Sequence, residues 1–381
     1  MCPLLRGQRL AGLLARDPYA SAVTRIRWAF AALALAFAGC AAIPWPLPAR
    51  PPTSATRSGE GWLDLRGVVH VHTRGSHDSP GTVDEVIDAA RSAGLAWVAL
   101  TEHFEPGDLP SFGRTRGVTI LPGYELRAAG ASLFAIGVSE RPPDLRDPVA
   151  LVRRIHELAG VTFVGHFEKS GLADPAAFAR ASPDGIELVN LHALARDRMG
   201  AIAWRGAFLP TPVALRTFLR VPATNLAAWQ RLPGPPSIVA GVDAHAKFRL
   251  LGPLGGTLDR YRDIFRLLTT HVLARDAGAA AILDALRAGR SYVAVEGLAP
   301  VDAFRFEPRG ERFFVEAPEE ARLSLVCDGV EVQSVLARRA ELSPSPGAQR
   351  CRAEAWRGNR LWVVTSHRDA ATTPGHTTST P

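Results

Sequence analysis

One stretch constrains this chain more than any other: Arg66 to His103, which alternates extended, helical and extended patterns and places histidine at the exit of each strand. Val68, Val69 and Val71 are β-branched, so Val68 to His72 is expected to be a strand. Side chains alternate along a strand, which predicts His70 and His72 on one face and Val69 and Val71 on the other. Two imidazoles so placed can grip one cation. The following turn adds Ser76, His77 and Asp78. Thr82 with Glu85 three residues later is a capping box, and Val83, Val86, Ile87 and Ala90 recur at helical spacing before Gly94. Leu95 to Leu100 is an apolar run suited to a buried parallel strand, with Thr101-Glu102-His103 at its carboxyl end. In sheets built from such units, ligands bind at the carboxyl ends of strands.

These residues resemble the PHP (polymerase and histidinol phosphatase) family of metal-dependent phosphoesterases. Its opening motif is matched by His70-Val-His72-Thr73 and Ser76-His77-Asp78, and its next strand end by Thr101-Glu102-His103. Gly123-Tyr124-Glu125 resembles the segment that supplies a bridging carboxylate. Gly165-His166 resembles a later ligand turn, and Ile186-Glu187-Leu188-Val189-Asn190 a following scaffold strand. Val242-Asp243-Ala244-His245 is similar to the last ligand pair, and Ile282 to Leu298 to the closing segment. The chain departs where the family carries another histidine, because Phe134 stands there and cannot bind metal.

The resemblance spans about residues 62–300 and implies a distorted (β/α)7, TIM-like barrel. It implies His70, His72, His77 or Asp78, His103, Glu125, His166, Asp243 and His245 as metal ligands. Glu125, Asp243 and His103 would carry the catalytic work. Imidazole and carboxylate without thiolate suit zinc, manganese or iron; two ions are expected and a third is left open. The implied reaction is hydrolysis of a small-molecule or nucleotide-like phosphoester by water. Hydrolysis of a non-phosphate bond and a binding lipoprotein without activity are the alternatives. Arg66, Arg74 and Arg127 are candidates to hold a phosphate. His156 reads as a structural histidine near a helix end, Glu187 and Asn190 as scaffold, and His192 is left open as a compensating ligand.

The amino terminus reads as an export signal. Arg25 and Arg27 precede an apolar run ending in Phe37-Ala38-Gly39-Cys40, which resembles a bacterial lipoprotein box and implies a lipid anchor at Cys40. Secretion after cleavage and an uncleaved anchor are the alternatives. Residues 1–40 are thus a leader and 41–61 a proline-rich tether, with the exported face of a membrane as the expected location. The net charge of +7 weighs little here, since five arginines against Asp17 in the leader leave only +3 for the remainder. No stable nucleic-acid partner is expected from so small an excess.

Beyond residue 300 the pattern turns to alternation, as in Phe304-Arg-Phe306 and Leu323-Ser-Leu-Val326, so 301–368 is expected to be a small antiparallel β module. Cys327 and Cys351 lie within it, free to pair or to remain thiols. Residues 200–236 read as an insertion with helical patches, Arg262 to Leu273 as a helix, and 369–381 as a disordered tail.

Overall fold

The computed structural model describes residues 56–57, 61–103, 113–206, 209, 211–234, 237–247 and 259–370. The leader with Cys40, most of the tether and residues 371–381 lie outside them. No helix among the described residues is long and apolar enough to cross a membrane.

The architecture is mixed α/β around one large sheet. Its strands begin with β1 (Thr56–Arg57) and β2 (Leu63–Val71), paired antiparallel; the sequence placed Thr56 and Arg57 in the tether. Next come β3 (Trp97–Leu100), β4 (Gly113–Thr115), β5 (Val118–Leu121), β6 (Gly123–Ala128), β7 (Ala131–Ile136) and β8 (Val161–Gly165). Then follow β9 (Gly185–Asn190), β10 (Ser237–Ala244), β11 (Thr269–Ala274) and β12 (Ser291–Ala294). Strand β2 is the hub, parallel to β3 on one side and to β10 on the other, and β10 continues parallel through β9 to β8. The carboxyl ends of these strands therefore converge.

A uniformly parallel alternation of strand and helix is not what forms. Strand β7 runs antiparallel to both β6 and β8, and β11 runs antiparallel to β2 and β12. The cause at β6–β7 is local. Ala129 and Gly130 both take positive φ (44° and 78°), the geometry of a two-residue hairpin turn. Strand β3 reaches β6 through a single bridge, Glu102 to Tyr124.

The helix after β2 forms as its residues dictate. It spans Val83–Ser92, and both halves of the capping box are made: Glu85 N donates to Thr82 Oγ1 (3.2 Å) and Thr82 N to Glu85 Oε2 (2.7 Å). Val86, Ile87, Ala89 and Ala90 face inward, and Gly94 at φ 69° ends the helix. The helix expected over Arg262 to Leu273 does not form as one piece. Only Tyr261–Ile264 is helical, and the Thr-Thr-His-Val run beyond it becomes strand β11, as β-branched residues between two partner strands favour. The insertion forms four short helices, counting one just before it: Leu191–Arg196, Met199–Gly206, Thr211–Arg216 and Ala223–Gln230.

The carboxyl-terminal module comprises β13 (Arg305–Arg309), β14 (Arg312–Cys327), β15 (Val330–Leu342), β16 (Arg350–Arg357), β17 (Arg360–Thr365) and β18 (Arg368–Asp369). Its pairings are antiparallel, and β17 joins β12, so module and main body share one sheet. Phe304, Phe306, Phe313, Leu323, Leu325 and Trp362 form an apolar core that also takes in Leu273 of β11 and Tyr292 and Ala294 of β12. Cys327 and Cys351 face each other across β14 and β16 and are disulfide-bonded.

Candidate metal centre

At the converging strand ends the backbone itself is unusual. His70, His166 and Asp243 take left-handed φ of 67°, 45° and 49°. Such conformations cost of order 1–3 kcal/mol each in non-glycine residues and cluster at functional sites. At His70 the consequence is a break in register between β2 and β3. Simple alternation therefore fails. Val69 packs with Leu65 in one apolar cluster, whereas Val71 joins Val68 in another. The extra residue absorbed at the bulge keeps His70 and His72 together, ring centroids 5.1 Å apart.

Around them the ligand-type atoms fall into overlapping groups, each within 4.8 Å: His72, Asp78, His103 and His245; His70, Glu125 and His166; His70, His72 and Asp243; and His192, Asp243 and His245. Glu125 is the hub. Its Oε2 lies 3.3 Å from His70 Nε2, 3.7 Å from His72 Nε2 and 3.6 Å from His103 Nδ1, and its Oε1 lies 3.5 Å from His166 Nε2. Asp243 Oδ1 is 3.5 Å from both His70 Nε2 and His245 Nδ1. Asp78 Oδ2 is 3.0 Å from His245 Nε2 and 3.6 Å from His103 Nε2.

A second set of side chains holds these in place. Glu187 receives His70 Nδ1 at 2.6 Å and the His166 amide at 2.6 Å. Gly241 makes room for it, because a Cβ there would overlap the Glu187 carboxylate. Asn190 donates to Glu187 and to Asp243 Oδ2 (3.3 Å), and Ser132 Oγ donates to Glu125 Oε1 (2.6 Å). Glu102 points away from the cluster and fastens the loop after β2, accepting from Thr73 N, Thr73 Oγ1 and Ser76 Oγ. Ser76 Oγ also accepts from the His103 amide at 2.8 Å, which links that loop to the end of β3.

Electrostatics favour the ligand forms of most of these groups. Burial pushes the His72 pKa well down, helped by His70 and His245, so its imidazole is neutral. His103 is also lowered, chiefly by burial. Burial raises Glu125 and Asp243, but the neighbouring imidazoles, His70 foremost, outweigh it and hold both carboxyls well below the usual range. Burial lowers His70, yet Asp243, Glu187 and Glu125 together raise it well above its ordinary value. So many carboxylates in one buried place demand positive charge.

The donor set fits divalent cations. Two buried ligand-type atoms, His72 Nε2 and Asp78 Oδ1, have no hydrogen-bond partner, although an unsatisfied buried polar atom costs roughly 1–3 kcal/mol. Imidazole and carboxylate oxygen are the donors that zinc, manganese and iron accept.

Of the residues the sequence singled out, His70, His72, Asp78, His103, Glu125, His166, Asp243 and His245 are brought together. His77 is not; it is exposed, with its ring 5.4 Å from that of His103, whereas Asp78 falls in a group with His72, His103 and His245. His192 enters a group with Asp243 and His245. Its place follows from the turn of helix after β9, outside any motif. Phe134 is fully buried with its ring edge-on to His70 at 4.5 Å. Arg66 is withdrawn from any phosphate role by its pairing with Glu296 (3.1 Å) and Asp302 (3.0 Å). His156 hydrogen-bonds Asp184 Oδ2 at 3.0 Å, away from the centre.

No family model matches the chain, and no curated protein matches it. Among solved structures it is similar to a two-domain protein from Bacteroides vulgatus, described as containing a predicted PHP-like metal-dependent phosphoesterase. That similarity has 17% identity and a TM-score of 0.45, over 85% of this chain and 100% of the other.

Proposed function

We propose that this chain is a metal-dependent phosphoester hydrolase of the PHP type, with a distorted (β/α)7 barrel as its main body. The observation that carries the reading is the cluster of eight motif-derived histidines and carboxylates at the strand ends, with two of its buried ligand atoms unpaired. The Glu102–Tyr124 bridge between β3 and β6 supports the barrel. His70, Glu125 and His166 would hold one cation, and His72, Asp78, His103 and His245 another, with Asp243 beside both. Bound cations would make a water acidic enough to attack near neutral pH and would polarise the phosphoryl oxygens. Glu187 fixes the His70 ring by accepting from Nδ1, and that presents Nε2 to the cluster. Lys247, 3.1 Å from Asp78 Oδ2, keeps a positive charge at the rim where an anionic substrate would arrive.

The test is metal content per chain, followed by hydrolysis of p-nitrophenyl phosphate and a broader phosphoester panel by metal-replete protein. Two ions per chain and measurable turnover are expected. A metal-replete protein inert towards the whole panel would overturn the reading. Hydrolysis of a non-phosphate bond is the second reading, favoured by the engagement of Arg66 elsewhere.

The same reading includes export and a lipid anchor on Cys40, supported by the charged, apolar and Gly-Cys order of residues 25–40. Radiolabelled palmitate should enter the wild type and not Cys40→Ser. Equal labelling of the two would discard the anchor.

A further inference from the structure

Beside the metal centre lies a cavity of about 180 Å³ that none of the motifs explains. Its walls are Leu191, Ile202, Leu215, Val242 and Ile264, each nearly or fully buried. They come from three of the short helices around and within the insertion, the end of β10 and the helix Tyr261–Ile264. Two further lining residues, His192 and Asp243, belong to the candidate metal groups, so the cavity opens directly onto them. Asp259 and the exposed Arg196 complete its polar lining.

Such a wall is unsuited to the charged part of a phosphoester, since moving an unpaired anion into apolar surroundings costs many kcal/mol. It suits the organic part. An apolar cavity of about 150 Å³ accepts a benzene ring, so this one has room for a single ring or a branched alkyl group. We propose that it is the subsite for the apolar substituent of the substrate, an aryl or branched-alkyl group held against Leu191, Ile202 and Leu215 while the scissile bond lies at Asp243 and His192. This rests on the phosphoester reading for the identity of that bond, and it narrows the substrate to esters with a compact apolar substituent rather than a sugar or polynucleotide.

Three probes separate the two ideas when titrated calorimetrically into metal-replete full-length protein: methylphosphonate, benzylphosphonate and p-cresol. Burial of a ring at about 25 cal/mol per Å² predicts benzylphosphonate binding at least about tenfold tighter than methylphosphonate. p-Cresol should bind alone, and Ile202→Trp, which fills the cavity, should erase the benzyl-to-methyl ratio. Leu215→Phe serves the same purpose if Ile202→Trp fails to fold. Equal affinities of the two phosphonates with no p-cresol binding would overturn the subsite and leave the phosphoester reading standing. Binding of p-cresol blocked by Ile202→Trp, with neither phosphonate bound, would keep the apolar subsite and remove the phosphoester reading. A tenfold ratio that survives both substitutions would place the ring elsewhere and overturn the subsite.

Discussion

At the scale of single residues, the centre separates side chains that would touch metal from side chains that orient them. His72→Ala and Asp243→Ala should each abolish p-nitrophenyl phosphate turnover and lower metal content, because His72 Nε2 has no hydrogen-bond partner and Asp243 stands beside both proposed ions. His156→Ala should leave turnover nearly intact, since its only described partner is Asp184. Turnover retained by His72→Ala with full metal content would refute the assignment. Glu187→Gln tests the orienting role. It keeps the size of the side chain but weakens a 2.6 Å contact to His70 Nδ1, and losses of this kind cost roughly 10–100-fold in metal affinity. A metal titration showing no loss would make Glu187 merely structural. Residues inside short motifs were legible in the sequence because chemistry and spacing are both written there. His192 could only be left open, as its approach to Asp243 depends on how the helix Leu191–Arg196 leaves β9. Nor could it be read that Asp78 and not His77 would lie within the cluster, because adjacent residues of a loop differ only in how the loop is pinned. Here Glu102 pins it through Thr73 and Ser76.

At the scale of elements, the capping box of Val83–Ser92 and the apolar β3 were readable because each is decided by local chemistry. The bulge at His70 was not, since a left-handed histidine carries no mark in its side chain; it is imposed by pairing with β3 and β10. Strand β11 was misread as helix for a similar reason, its partners β2 and β12 lying far away in sequence. Strand β7 offers a direct test. Phe134 sits opposite Glu125 on β6 and Phe163 on β8, with its ring against His70. Phe134→His would place an imidazole in that position. Metal content should rise from two towards three per chain, and thermal stability should fall by roughly 1–3 kcal/mol because a polar ring replaces an apolar one in the core. Unchanged metal content by elemental analysis would show that Phe134 does not occupy a ligand position.

At the scale of the whole molecule, the module is joined to the main body by more than the β12–β17 pairing. Asp64, His271 and Tyr292 form a buried hydrogen-bonded trio across β2, β11 and β12, and Arg66 reaches Val301 O and Asp302 at the start of the module. His367, which follows β17, packs its ring 4.2 Å from that of Trp229 in the helix Ala223–Gln230. Burial, with Arg352 and Arg350 adding to it, depresses the His367 pKa to about 3. In the unfolded chain this group titrates near 6.5. Between those values the unfolded state binds the proton and the folded state does not. The contribution of neutral His367 is therefore complete above about pH 6.5 and falls by about 1.4 kcal/mol for each pH unit below it, until about pH 3. His367→Phe keeps a ring against Trp229 and removes the proton. Urea unfolding at pH 7.5 and pH 5 should show the wild type losing roughly 2 kcal/mol more than His367→Phe over that interval. The difference between the two proteins cancels the groups they share, the metal centre included. Equal losses would mean that the junction opens to water before His367 is forced to stay neutral, and that the module is held to the main body by its strand pairing and not by this contact.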